Sequence, residues 1–178
     1  MRPLVRSTIL TKGIALILLA CVPGAEADEV PDLSKFNTLK DVDELIYDQK
    51  YDAALDRLRP LAAAGNPEAE FTLGTMLESG LGVPKSVSGA LVLYQRSADA
   101  GYPFAQKKIG LFDFSVKQYD QAFAILRPLA QMGFRGNVSG ALAGMYRYGL
   151  GTPVDEAKAK CWMRKTIQPV LKSFQGSC

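Results

Sequence analysis

Tyr51 to Gly65 reads YDAALDRLRPLAAAG, and Tyr119 to Gly133 reads YDQAFAILRPLAQMG, 68 residues further on, with nine of the fifteen positions identical. Within each copy the apolar residues return at three- and four-residue spacing, the period of a helix with one buried face. A second echo follows: Leu73, Gly74, Leu77, Gly80, Gly82, Ala90 and Leu93 have counterparts 69 residues later at Leu142, Ala143, Tyr146, Gly149, Gly151, Ala159 and Trp162. Self-similarity on this scale marks a repeat array, whose units bury their apolar faces only by stacking on one another.

From Leu39 onward the helical period persists, and no stretch alternates as a half-buried strand does. The spacing predicts helices over 39–48, 51–64, 67–79, 86–99, 103–116, 119–132, 137–148 and 155–167, paired as about four hairpins. Pro67 and Pro103 stand just inside helix starts, where the missing N–H is not needed and φ is already helical. Gly65, Gly101 and Gly133 fall at helix ends, where a left-handed residue costs a glycine least. At Gly80-Leu81-Gly82 and Gly149-Leu150-Gly151 two permissive residues close together end one helix and turn the chain into the next. Small residues such as Gly74, Ala90, Gly110 and Ala122 let helix axes approach. The fold class expected is all-α, a solenoid of stacked hairpins.

Residues 1–27 have the layout of a secretory signal. Arg2, Arg6 and Lys12 precede the uncharged run GIALILLACV, and Ala25-Glu26-Ala27 supplies small residues for cleavage. That apolar run is half of the roughly 20 residues a bilayer-spanning helix needs. Two processing routes are open. Cleavage after Ala27 gives a periplasmic or secreted protein, whereas Leu18-Leu19-Ala20-Cys21 resembles a bacterial lipobox whose lipidated cysteine would tether the domain to a membrane. The organisation expected is signal 1–27, extended leader 28–38 and helical domain 39–178. Lys and Arg number 21 against 18 Asp and Glu; without residues 1–27 the balance is 18 against 17, a net of +1. Such a balance lacks the clustered positive face that phosphate neutralisation requires, so nucleic acid is not the expected partner. After export, Cys161 and Cys178 stand in an oxidising compartment as an even pair, and a bridge between them is expected.

From Ala69 to Val83 the pattern A-x-x-x-L-G-x-x-L-x-x-G-x-G-V, followed by Gly89-Ala90, Leu93-Tyr94, Arg96, Ala98 and Gly101, resembles the Sel-one-like repeat, a relative of the tetratricopeptide repeat. Leu142, Tyr146, Gly149, Gly151, Asp155, Lys158, Ala159, Trp162 and Lys165 carry the same resemblance in the last unit. The middle unit lacks the Gly-x-Gly joint and is similar to the shorter tetratricopeptide pattern. The resemblance covers roughly residues 40–167. It implies a curved right-handed superhelix that serves as a protein-interaction scaffold, often in bacterial cell envelopes.

Chemistry is hard to place on this chain. It has no histidine, which removes Ser-His-Asp triads, Cys-His dyads and H-E-x-x-H zinc sites. No serine precedes a lysine by three positions, and no G-x-S-x-G occurs. The Gly-x-Gly elements follow helices rather than strands, so they are joints and not phosphate loops. Cys161 has no C-x-x-C partner to lower its pKa. No catalytic residue, metal or cofactor is expected. In a tetratricopeptide-like register the first helix of each hairpin lines the inner curve. The partner-binding residues this implies are Glu68, Phe71, Thr75 and Glu78, then Phe104, Lys107, Leu111 and Phe114, then Asn137, Gly140, Gly144 and Arg147. Apolar anchors ringed by charges suit capture of a protein or peptide. The same rings could instead pack between hairpins. The other functional reading is an envelope enzyme or carbohydrate-binding protein near peptidoglycan, which would need two carboxylates facing one pocket.

Overall fold

The computed structural model describes residues 38–167, which form eight helices. These are α1 (Lys40–Tyr47), α2 (Tyr51–Ala63), α3 (Pro67–Ser79), α4 (Val87–Asp99), α5 (Pro103–Ser115), α6 (Tyr119–Gln131), α7 (Asn137–Tyr148) and α8 (Glu156–Ile167). Each packs on the next, and α5 also touches α7. This is the geometry of stacked antiparallel hairpins, α1/α2, α3/α4, α5/α6 and α7/α8. The expected helices are all present, with ends moved by no more than one residue. Residues 1–37 and Cys178 lie outside the described part of the chain, and with them the expected signal, almost all of the leader and one partner of the expected bridge. Thr38, assigned to the leader, is already held to the helical body: its backbone N–H donates to both carboxylate oxygens of Glu68, at 2.9 Å each.

Local chemistry sets the helix starts. The Asn66 side chain accepts from Ala69 N at 2.9 Å with Pro67 in the first turn, and Ser86 accepts from Gly89 N at 3.1 Å. Asp155 does the same for α8, accepting from Lys158 N at 2.9 Å. Each such cap satisfies a backbone N–H that has no partner within its helix.

The two-fold echo in the sequence has a spatial counterpart. Gly82, at φ +67°, turns the α3–α4 joint back onto the start of α2, where a Cβ would stand 2.5 Å from Tyr51 Cβ. Gly151, also at φ +67°, brings the α7–α8 joint against the backbone of Tyr119 at the start of α6. The long period therefore repeats a module of four helices rather than a single hairpin: α1–α4, residues 38–102, and α5–α8, residues 103–167. The turns opening these modules match as well. Gln49 (φ +61°) and Lys117 (φ +65°) are the non-glycine residues in the left-handed region, and they stand 68 positions apart.

Three clusters make the core. Val42, Ala54, Leu55, Leu58 and Met76 join α1 to α3, while Ala90, Tyr94, Tyr102 and Ile109 join α4 to α5. Leu126, Leu129, Val138, Leu142, Met145 and Trp162 bind α6 to α8. Phe104 and Ile125 pack against both the second and the third cluster, so the apolar interior is continuous across the modules.

Candidate functional site

A row of rings crosses from the first module to the second. Phe71 on α3 lies 5.4 Å from Tyr94, 5.3 Å from Tyr102 and 6.4 Å from Phe104, ring centroid to centroid. Tyr102 and Phe104 are 5.5 Å apart, and Phe104 meets Phe134 edge-on at 5.5 Å. Such tilted and edge-on pairs suit the ring quadrupoles. Phe71 and Phe104 are half-buried; Tyr94, Tyr102 and Phe134 are buried. Lys107 Nζ lies 5.7 Å from the centroids of both Phe104 and Phe134. Among the described residues it has no carboxylate partner.

The residues expected in the groove divide into three sets. In the first, side chains are consumed by the fold. Glu68 is buried, and its carboxylate accepts from Thr38 N, Thr38 Oγ1 and Leu39 N, which pins the chain entering α1. Thr75 and Glu78 both accept from the Tyr94 hydroxyl, at 3.3 and 2.7 Å, and Glu78 also takes Lys108 Nζ at 2.6 Å. The bonds from Lys108 and Tyr94 hold the Glu78 carboxyl below its ordinary pKa. Burial raises that of Tyr94, and burial with the nearby Glu68 and Asp43 charges raises that of Tyr102 to about 12. These groups form the seam between hairpin α3/α4 and α5; they are bound within the chain rather than displayed to a partner. Phe114, half-buried, meets Tyr119 edge-on at 5.7 Å across the α5–α6 turn.

The second set keeps accessible surface beside the ring row. Phe71, Phe104, Lys107 and Leu111 are half-buried on the odd-numbered helices. The third set, on α7, is open: Asn137 and Arg147 are exposed, and a Cβ at Gly144 would meet no described atom within 4 Å. A Cβ at Gly140 would stand 3.8 Å from Thr166 Cγ2, and Arg147 stands 3.9 Å from Glu156. Phe71, Phe104 and Phe114 are each half-buried, and each packs in part on neighbouring rings while keeping some accessible surface.

Sequence reasoning missed three features. The ion pair Glu70–Arg96 ties α3 to α4, with Glu70 enclosed and Arg96 reaching solvent. Asp113, 8% exposed, has its carboxyl pushed up by burial. The balanced net charge conceals a polarity: residues 38–102 carry ten Asp or Glu against six Lys or Arg, whereas residues 103–167 carry four against ten. Only this last signal could have been read from the chain alone, by counting within the repeats. Cys161 is disulfide-bonded. Among the described residues no group of three or more His, Cys, Asp or Glu could hold a metal, and no helix is long and apolar enough to cross a membrane.

Stacked hairpins with paired glycine joints define a helical-repeat fold. Residues 67–102 and 141–168 match the family model of the Sel1 repeat, and these two segments are Sel1 repeats. The matches take in α3/α4 and most of α7/α8 and leave out α5/α6, the unit without the Gly-x-Gly joint. A Sel1 repeat protein from Oxalobacter formigenes is similar in structure, with a TM-score of 0.60 and 26% identity over 70% of this chain and 53% of that one. So is c5321, described as a protective antigen present in uropathogenic Escherichia coli strains and displaying an SLR fold: TM-score 0.54 and 29% identity over 64% of this chain and 25% of that one. The chain thus spans about half of the first relative and a quarter of the second. No protein of curated function matches it by sequence. Sel1 repeats generally build scaffolds that bind other proteins.

Proposed function

We propose that this protein is a non-enzymatic scaffold of the bacterial cell envelope that captures a segment of another protein along the face formed by α5 and α7. The observation that carries this reading is the ring row running through Phe104 to Phe134, with Phe104 half-buried and both rings overlain by Lys107, which meets no carboxylate among the described residues. A partner that covered it would gain apolar burial without displacing any internal bond. Export is supported by the basic-apolar-small pattern of residues 1–27 and by the disulfide at Cys161, which persists where thiols are not kept reduced.

Affinity capture from envelope extract tests the binding face. Phe104→Ala should weaken retention of the partner by more than about 1 kcal/mol, as the loss of an anchor does. Val92→Asp, at an exposed position of α4, should leave retention unchanged. The reverse result would move binding to the outer curve and overturn the assignment. Intact mass under non-reducing conditions tests the location: the expected chain begins at Asp28 with Cys161 joined to Cys178. A product beginning at an acylated Cys21 would instead make it a tethered lipoprotein.

A further inference from the structure

The two modules share a fold and differ in sign. Residues 38–102 have a net charge of −4, from ten acidic and six basic side chains; residues 103–167 have a net of +6, from four and ten. The ion pairs among the described residues offset only part of this. Of the cations in the second module, Lys108 reaches across the seam to Glu78, while Lys158 and Lys160 share Asp155 and Glu156. Lys107 has only rings beneath it, and Arg135 donates to the Ala130 carbonyl at 2.8 Å, so neither meets a carboxylate among the described residues. Both flank the end of the ring row, Lys107 over Phe104 and Phe134, and Arg135 next to Phe134 in the chain. Among the second module's own acids Asp113 is buried, and Asp155 and Glu156 are paired with Lys158, Lys160 and Arg147.

Resting on the proposed binding role, we infer that the segment captured at α5/α7 is an acidic polypeptide carrying apolar or aromatic side chains, with its carboxylates meeting Lys107 and Arg135 and its apolar groups covering Phe104 and Leu111. Charge complementarity selects acid over base. The chemistry of the face selects polypeptide over polyphosphate. Phosphate backbones need a continuous track of cations, whereas here two cations border an apolar strip and the adjoining module would repel a long polyanion. Electrostatic matching of this kind raises association rate and rejects wrong partners, while apolar anchors supply affinity.

Selection of random dodecapeptides displayed on phage against the immobilised mature protein tests the inference, with one enriched peptide then synthesised for titration. The enriched set should have an excess of Asp and Glu over Lys and Arg together with Phe, Leu, Tyr or Trp. Binding of the synthetic peptide should fall about tenfold or more in Lys107→Glu, by less in Lys107→Gln, and with rising salt. Far-UV signal and melting temperature, followed in both variants, separate lost binding from lost fold. An enriched set that is neutral or basic but still lost in Phe104→Ala would overturn the charge inference and leave the binding face standing. Peptides indifferent to both Lys107 and Phe104 substitutions would overturn both, and a library that yields no enrichment would count against the acidic-segment inference. Tighter binding of a single-stranded oligonucleotide than of the acidic peptide would replace it with a nucleic-acid reading.

Discussion

The modules 38–102 and 103–167 follow one backbone plan and spend their equivalent side chains differently. On α3, Phe71, Thr75 and Glu78 fill the seam toward α5; 69 positions on, α7 carries Gly140, Gly144 and Arg147 in those places. On α1 the residues 68 positions before Gly110, Leu111 and Asp113 are Val42, Asp43 and Leu45. The first module thus closes itself with a buried carboxylate bound to Thr38, an enclosed Glu70 paired with Arg96 and a tyrosine shared by two acceptors. The second leaves a buried serine hydroxyl at Ser139 with no hydrogen-bond partner among the described residues, at the position equivalent to Glu70, and buries an aspartate where the first has leucine. The shared frame is thus filled differently: the first half is acidic and internally bonded at these positions, while the second is cationic, and it is the half proposed for binding.

The two halves should respond alike where the plan is shared. Leu58 and Leu126, each fully buried 68 positions apart in the LRP segment, anchor α2 and α6. Leu58→Ala and Leu126→Ala should each cost about 2–5 kcal/mol in chemical denaturation, as truncation of a packed leucine does. A cost under about 1 kcal/mol at either one would mean that its module is not packed as its twin is.

Where the plan has diverged the responses should part. Arg96→Ala strands the enclosed Glu70 carboxylate and should cost about 1–3 kcal/mol, less than a fully buried pair because the guanidinium reaches solvent. Ser139→Ala should instead be neutral or stabilise by about 1 kcal/mol, since it removes a buried hydroxyl that bonds to nothing described. Equal losses at both positions, read from urea midpoints, would erase the contrast.

Asp113→Leu installs the first module's residue in the second and should raise the melting temperature at neutral pH. The folded-state pKa of Asp113 lies above its unfolded value, so in the wild type the penalty for burying its charge is relieved as pH falls through that raised pKa. The advantage of the variant should therefore shrink on acidification. Glu78 runs the other way: its pKa is lowered by Lys108 and Tyr94, so its stabilisation is complete above the ordinary carboxylate range and is lost as pH falls toward the lowered value. Glu78→Gln should flatten that acid limb. Melting curves at several pH values check both, and an Asp113→Leu advantage that persists unchanged into acid would show that charge is not the cause.

The smallest effects belong to the matched turns. Gln49→Gly and Lys117→Gly relieve a left-handed backbone in each module, and each should stabilise by about 0.5–1 kcal/mol after the loss to unfolded-chain entropy. A destabilised variant at either site would mean that the side chain, not the backbone, determines that turn.

Much of this architecture was legible before any coordinates. Proline and glycine punctuation set helix limits to within a residue because caps and left-handed ends are local events, decided by side chains a few positions away. The helical period even ran correctly through Pro60 and Pro128, which lie on exposed positions late in α2 and α6. The candidate face was legible only in part. Assigning Glu68, Thr75 and Glu78 to a groove required knowing what stands 16 to 30 residues away, and Thr38, Tyr94 and Lys108 proved to occupy them. Left-handed turns at Gln49 and Lys117 carry no glycine to announce them. The charge polarity was in plain view but cancelled in the sum over the whole chain.

Residues 43 and 111 occupy equivalent positions in the two modules, one on the acidic half and one beside Phe104, so they can be compared directly. A photo-crosslinking amino acid placed at Asp43 or at Leu111, and at exposed Arg127 on α6 as an outer-face control, would report which surface a partner touches in living cells. The expected result is a partner adduct from position 111 and none from 43 or 127. Adducts of equal yield from 43, or an adduct from 127 alone, would contradict the assignment of binding to the second module's inner face.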